Sequence, residues 1–180
     1  EIEITGYNGS SAEITIPSQI GDEDVKAIGG NAFKNNTTIT SVEIPSTVKT
    51  IDYSAFQGCE ALRSITVPDS VTKVETYAFD GCSALKTAVI GSGLAKIDFG
   101  VFRNCISLEK VTLGANVTTI DTAFSDCTAL SEIVWNDKIE TIGDRAFSDC
   151  TALRSLSIPA SVKTIGSSAF SGCTGLNDVD

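Results

Sequence analysis

Seven phenylalanines recur along the chain at a near-constant interval. Phe33, Phe56, Phe79, Phe102, Phe124, Phe147 and Phe170 are separated by 23, 23, 23, 22, 23 and 23 residues, and of the eight phenylalanines only Phe99 falls outside the series. A repeat this short cannot bury its own apolar face. Stacked copies bury a continuous one, so the period itself demands a solenoid.

The other slots of the repeat keep the same interval. Cys59, Cys82, Cys105, Cys127, Cys150 and Cys173 each follow their Phe by three residues, with Asn36 in that slot of the first repeat. Three residues further on come Ile39, Leu62, Leu85, Leu108, Leu130, Leu153 and Leu176. Pairs such as Ile65/Val67 then alternate with period two, the pattern of a half-buried strand, and Pro45, Pro68 and Pro159 end it in their repeats. A second apolar pair, Val71/Val74 and its equivalents, marks a short extended piece. The segment around Tyr77-Ala78-Phe79 reads as a helical turn. The expected fold is an α/β repeat solenoid of about seven turns, strand-rich with short helical turns.

Leu62-x-x-Ile65-x-Val67 matches the LxxLxL core of leucine-rich repeats. The longer signature Ala-Phe-x-Gly-Cys-x-x-Leu-x-x-Ile-x-Ile-Pro-x-x-Val-x-x-Ile resembles the BspA-like leucine-rich-repeat family over essentially the whole chain. That resemblance implies a right-handed leucine-rich-repeat superhelix in a bacterial surface protein, extracellular or secreted, that adheres to host proteins or to other cells. It implies no shared catalytic residues.

Residues 1–180 read as one solenoid domain. Residues 1–16, with Ile2/Ile4 and Ile14/Ile16 flanking a Gly-rich turn, predict an N-terminal capping hairpin. An insertion near Gly21-Asp22-Glu23-Asp24 predicts a surface loop. No capping device is legible at the other end, where Val179-Asp180 enters the next strand, so a fragment of a longer protein is expected; the lack of an initiator Met predicts a processed or excised piece. The repeat ending at Phe124 is one residue short after Ile120, which predicts a local kink or a tightened helical turn.

Composition removes several functions. The net charge is −10, which disfavours nucleic acid and anionic lipid. No apolar run approaches the roughly 20 residues of a membrane span. Histidine is absent, and with it triads and imidazole metal sites. No catalytic residue, metal ligand set or cofactor motif is legible.

Three features invite a chemical reading. The six cysteines predict a column of buried reduced thiols, with disulfides as the alternative, and no Cys-x-x-Cys supports zinc. Asp52, Glu75, Asp98 and Asp121 share one slot, read as caps of the helical turns, with calcium as the alternative. Trp135 occupies a core-facing slot.

Two surfaces are candidates for partner binding. Tyr53, Tyr77 and Phe99 fall outside the core Phe series and predict an aromatic patch along one edge. Arg63 and Lys86 stand beside the outward residues of what would be the concave sheet. The resulting expectation is a non-enzymatic surface module for adhesion or protein–protein interaction, binding a protein partner. A rigid structural spacer, or a glycan-binding accessory module of a larger secreted enzyme, are the alternatives.

Overall fold

The computed structural model describes the backbone of residues 1–179 and the side chains of residues 1–178. Two columns of short parallel strands build a β-solenoid of about seven rungs. One column holds β1 (Ile2–Ile4), β4 (Glu23–Ile28), β6 (Thr50–Ile51), β8 (Lys73–Val74), β10 (Lys96–Ile97), β12 (Thr119–Ile120), β14 (Thr141–Ile142) and β16 (Thr164–Ile165). The other holds β2 (Glu13–Thr15), β5 (Ser41–Glu43), β7 (Ser64–Val67), β9 (Thr87–Ile90), β11 (Lys110–Thr112), β13 (Glu132–Val134), β15 (Ser155–Leu156) and β17 (Asp178–Val179). Neighbours pair one repeat apart: Ile65, Ala88, Val111 and Ile133 lie side by side. Side chains in β7 and β9 alternate between exposed and buried, as the apolar-x-apolar pattern requires.

The segment carrying each Phe is not helical, and no helix forms among the described residues. The expected helical turn is replaced by a different wiring. In the first rung the amides of Asn31, Phe33 and Asn35 donate to Tyr53, Ala55 and Gln57 of the next rung at 3.1, 2.8 and 2.7 Å. The alternate amides of Ala32, Lys34 and Asn36 donate to Gly29, Asn31 and Phe33, three residues back, each at 3.1 Å. An α-helix would send every amide four residues back. Left-handed residues flank six of the seven phenylalanines on both sides, as Asn31 (φ 62) and Asn35 (φ 58) do Phe33, and turn alternate amides outward; Phe124 has only Asp126 (φ 63) after it. Stacking thus takes the donors a helix would use.

The phenyl rings stack in one column from Phe33 to Phe170, with centroids 4.9–5.5 Å apart and planes within 2–6° of parallel. Phe56, Phe79, Phe102, Phe124 and Phe147 are fully buried, and each such side chain contributes about 2–3 kcal/mol by leaving water. All six cysteines are free and buried. Each thiol donates to the carbonyl oxygen of the Phe on the preceding rung at 3.1–3.3 Å. Burial pushes the Cys59 thiol up to about 12 and raises the other five as well.

Residues 1–16 do not form the expected hairpin. β1 pairs parallel with β4 and β2 pairs parallel with β5, so the segment is a partial first rung. Tyr7 sits 5.7 Å from Phe33 and continues the aromatic column. The physical reason is that Ile2/Ile4 and Ile14/Ile16 carry the same apolar alternation as the two columns and bury against them. The hairpin in this region lies at the insertion, where β3 (Gln19–Ile20) runs antiparallel to the start of β4 around Gly21 (φ 63). The short repeat has a tightened, non-helical turn: Ala123 donates two residues back to Asp121 at 2.6 Å, where its equivalents reach three residues back. The strand expected at the end of the chain forms as β17 beside β15; Asp180 lies outside the described residues. Trp135 is only half-buried, edge-on to Phe147 at 5.8 Å.

Candidate functional site

The slot three residues before Phe56 and Phe102 lies on the outer rim, so large side chains there are available to solvent. Tyr53 is 52% exposed and Phe99 39% exposed, while Tyr77 is half-buried. Tyr77 and Phe99 meet edge-to-face with centroids 5.4 Å apart. Tyr53 does not join them by a ring contact among the described residues. It occupies the same slot as Phe99 two rungs earlier and lies over Gly30. The structure therefore brings two of the three rings together. Gly100 is needed beneath the pair: its φ is +66, and a Cβ there would stand 2.6 Å from Tyr77 Cδ1.

A buried carboxylate holds this pair in place. Asp80 accepts hydrogen bonds from Arg103 Nε at 3.1 Å and Nη2 at 3.2 Å, from Gln57 Nε2 at 2.8 Å and from Asn104 Nδ2 at 3.0 Å. The fixed guanidinium lies over the Tyr77 ring, 5.0 Å from its centroid. Asp80, Arg103, Tyr77 and Phe99 thus form one connected cluster. Sequence reasoning missed Asp80 and Arg103, although opposite charges one repeat apart in one slot were visible.

Arg63 and Lys86 are exposed at the heads of β7 and β9, on consecutive rungs, where the Lys86 amide donates to the Arg63 carbonyl at 2.8 Å. Lys86 Nζ also stands 3.5 Å from a Glu109 carboxylate. The outward face of the adjoining strands presents Val89 and Val134, 41% and 37% exposed. The acid column does not act as expected through capping bonds at Asp52, Glu75 and Asp98. Glu75, Asp98 and Asp121 face lysines instead: Lys73 bonds Glu75, and Lys96 bridges Asp98 at 2.7 Å and Asp121 at 3.1 Å. Only Asp121 also accepts from a neighbouring amide, that of Thr122 at 2.8 Å. No group of three or more Cys, Asp or Glu is poised to hold a metal ion among the described residues.

A groove of about 740 Å³ opens beside the shortened repeat. Ser125, Ser148 and Ser171 line it, in the slot that holds Lys34, Gln57, Asp80 and Arg103 on earlier rungs. Phe99 and Arg103 bound it on one side, and Asp144 and Arg145 lie further along. Single-residue patterns gave no sign of it, because its shape depends on four rungs at once.

The repeat-only architecture and this rim can be set against known proteins. The model of the BspA-type leucine-rich-repeat region matches residues 7–128 and 121–180, in six copies. The chain belongs to the BspA-type leucine-rich-repeat family. Among solved structures, this BspA-type chain is similar to a leucine-rich-repeat protein from Bacteroides ovatus, at 34% identity and a TM-score of 0.84 over 93% of this chain and 45% of that one. It is similar to another from Eubacterium ventriosum, at 30% identity and 0.82 over 94% and 45%. A leucine-rich cell surface protein from Faecalibacterium prausnitzii matches at 25% identity and 0.51, covering 93% of this chain and 59% of that one. The chain therefore spans less than half the length of the first two. No curated protein matches it.

Proposed function

We propose that this BspA-type chain is a non-enzymatic binding module of an extracellular or cell-surface protein, and that it grips a protein partner through its aromatic rim. The Tyr77–Phe99–Arg103 cluster anchored on Asp80 carries this reading. It offers a partly exposed aromatic pair and a guanidinium whose geometry is already fixed, so little side-chain freedom is lost on contact. The Faecalibacterium relative's description as a cell surface protein supports the location. No helix among the described residues is long and apolar enough to cross a membrane. The non-enzymatic reading is supported by thiols held in their protonated, unreactive form.

The test is binding of the purified chain to a panel of immobilised extracellular-matrix proteins, measured by biolayer interferometry. Phe99→Ala is expected to weaken binding by about tenfold, corresponding to about 1.4 kcal/mol. Reversal of Arg63 and Lys86 to Glu is expected to have the smaller effect. The opposite ranking moves the contact to the strand face. Absence of binding across the panel leaves the rigid-spacer reading.

A further inference from the structure

We infer that Trp135 is a wedge that holds the strand column open between β13 and β15, and that this junction is a notch poised to close. At the heads of the strands, the amides of Arg63, Lys86, Glu109, Ser131 and Asn177 each donate to the same slot of the preceding rung at 2.8–3.0 Å. Arg154 occupies that slot beside Ser131, yet its amide donates to no backbone carbonyl among the described residues. β13 and β15 do not pair. Everywhere else the same two rungs stay joined. Thr141 and Ile142 pair with Thr164 and Ile165, and the Phe147 and Phe170 rings stack at 5.5 Å. The amides of Phe147 and Asp149 donate across the junction at 2.8 and 2.7 Å. The rungs therefore part on the strand face alone.

The size of one side chain accounts for this. The slot of Trp135 holds Ile44, Val67, Ile90 and Leu113 on earlier rungs, all buried. An indole is too large for that space, and an overfilled core moves backbone. Trp135 instead stays half-buried against the edge of Phe147. Its neighbour Ile133 is half-buried too, although Ile65, Ala88 and Val111 in that slot are 0–2% exposed. A cavity of about 90 Å³ lies at the junction, between Ser131, Ile133 and Trp135 on one rung and Leu153, Ser155 and Leu156 on the next. Loss of pairing does not by itself open the core: β8 and β10 also fail to pair, yet Val74 and Ile97 there are 2% and 1% exposed.

Closure has everything it needs except room. The flanking β14–β16 pair already sets the register. Pairing would give the Arg154 amide its acceptor and bury Ile133, both of which lower the free energy. With the indole out of the slot, β13 and β15 can join as β9 and β11 do. Closing draws Ser157 up to Val134, so the junction sets the spacing of the exposed strand face. The inference is independent of the protein-binding reading, whose aromatic pair lies on the rim.

The experiment is amide hydrogen exchange of the whole chain, resolved by NMR. In the unaltered chain the Arg154 amide is expected to exchange about a hundredfold or more faster than those of Lys86 and Glu109. Trp135→Leu restores the side chain found at Leu113 and should slow Arg154 by roughly tenfold or more, as the strands join. Leu113→Trp should do the reverse one junction earlier and speed exchange at Ser131; it decides the matter if Trp135→Leu fails to fold. Protection of Arg154 equal to that of Lys86 in the unaltered chain overturns the open notch. Fast exchange at Arg154 that Trp135→Leu leaves unchanged overturns the wedge.

Discussion

The thiol of Cys105 donates to the carbonyl oxygen of Phe79, 3.2 Å away on the preceding rung, and the amide of Cys82 donates to the same oxygen at 3.3 Å. One carbonyl thus joins its own rung to the next. Cys105→Ala removes the inter-rung donor and leaves a small void in a packed column. It is expected to destabilise by about 1–3 kcal/mol in urea unfolding. Native-state labelling of all six thiols should be slow, and a fast-labelling thiol would contradict their burial.

Alkaline pH tests the same column as a whole. The thiols' ordinary value is 9.0, and burial raises Cys59 to about 12 and lifts Cys82 and Cys105 well above that ordinary value. Below pH 9 the thiols are protonated in both the folded and unfolded states, and their contribution is fully present. Above it the unfolded chain loses protons that the folded chain keeps, so stability falls as pH rises, by about 1.4 kcal/mol per thiol per pH unit. Melting temperature should therefore drop steeply above pH 9. A flat profile through about pH 11 would show that the thiols ionise in place.

Asp80→Ala leaves Arg103 without its carboxylate and strips acceptors from Gln57 and Asn104. Because Arg103 is partly exposed, the expected loss is about 2–4 kcal/mol, at or below the usual range for one member of a buried pair. Asp80→Ala and Arg103→Ala together should cost less than the sum of the two. Strict additivity in a double-mutant cycle would mean that the pair is not coupled.

Tyr77 sits at φ 61, a conformation that glycine adopts freely. Tyr77→Ala keeps the backbone strain and loses the ring, whereas Tyr77→Gly loses the ring and relieves the strain. The glycine variant should be more stable than the alanine variant by about 1 kcal/mol, measured by urea midpoints. Equal stabilities would mean that the left-handed geometry carries no strain.

Lys96 bridges Asp98 and Asp121 and Lys73 pairs with Glu75, so two lysines offset part of the acid column's charge from within. Lys96→Ala should cost up to about 1 kcal/mol, and less in high salt. A chelator should leave the melting temperature of the unaltered chain unchanged. A rise of several degrees on adding calcium would assign the column to a metal.

The stacking and the core were legible because the Phe slot iterates through all seven repeats, the Cys and Leu slots depart from type only at Asn36 and Ile39, and burial follows directly from them. The rim was misread as helical. The clue was the run of Asn31, Asn35, Gly58, Gly81, Gly100 and Asn104 around successive phenylalanines, residue types that tolerate left-handed backbone. Residues 1–16 were misread because a local Gly-rich turn suggests a hairpin, whereas pairing to distant rungs offers each short strand a larger apolar surface. Tyr77 and Phe99 were rightly placed together by proximity in the repeat. Tyr53 was not, since two rungs separate it from Phe99.

The phenyl column has a consequence for how such a chain diversifies. Phe102 and Phe124 remain 5.4 Å apart and 3° from parallel although the repeat between them has lost a residue. The interior keeps its phase while the rim absorbs the change in length. A one-residue deletion at the rim thus leaves the phenyl stacking intact. A chain of this kind can therefore change what one rung displays while the stacked interior stays in phase.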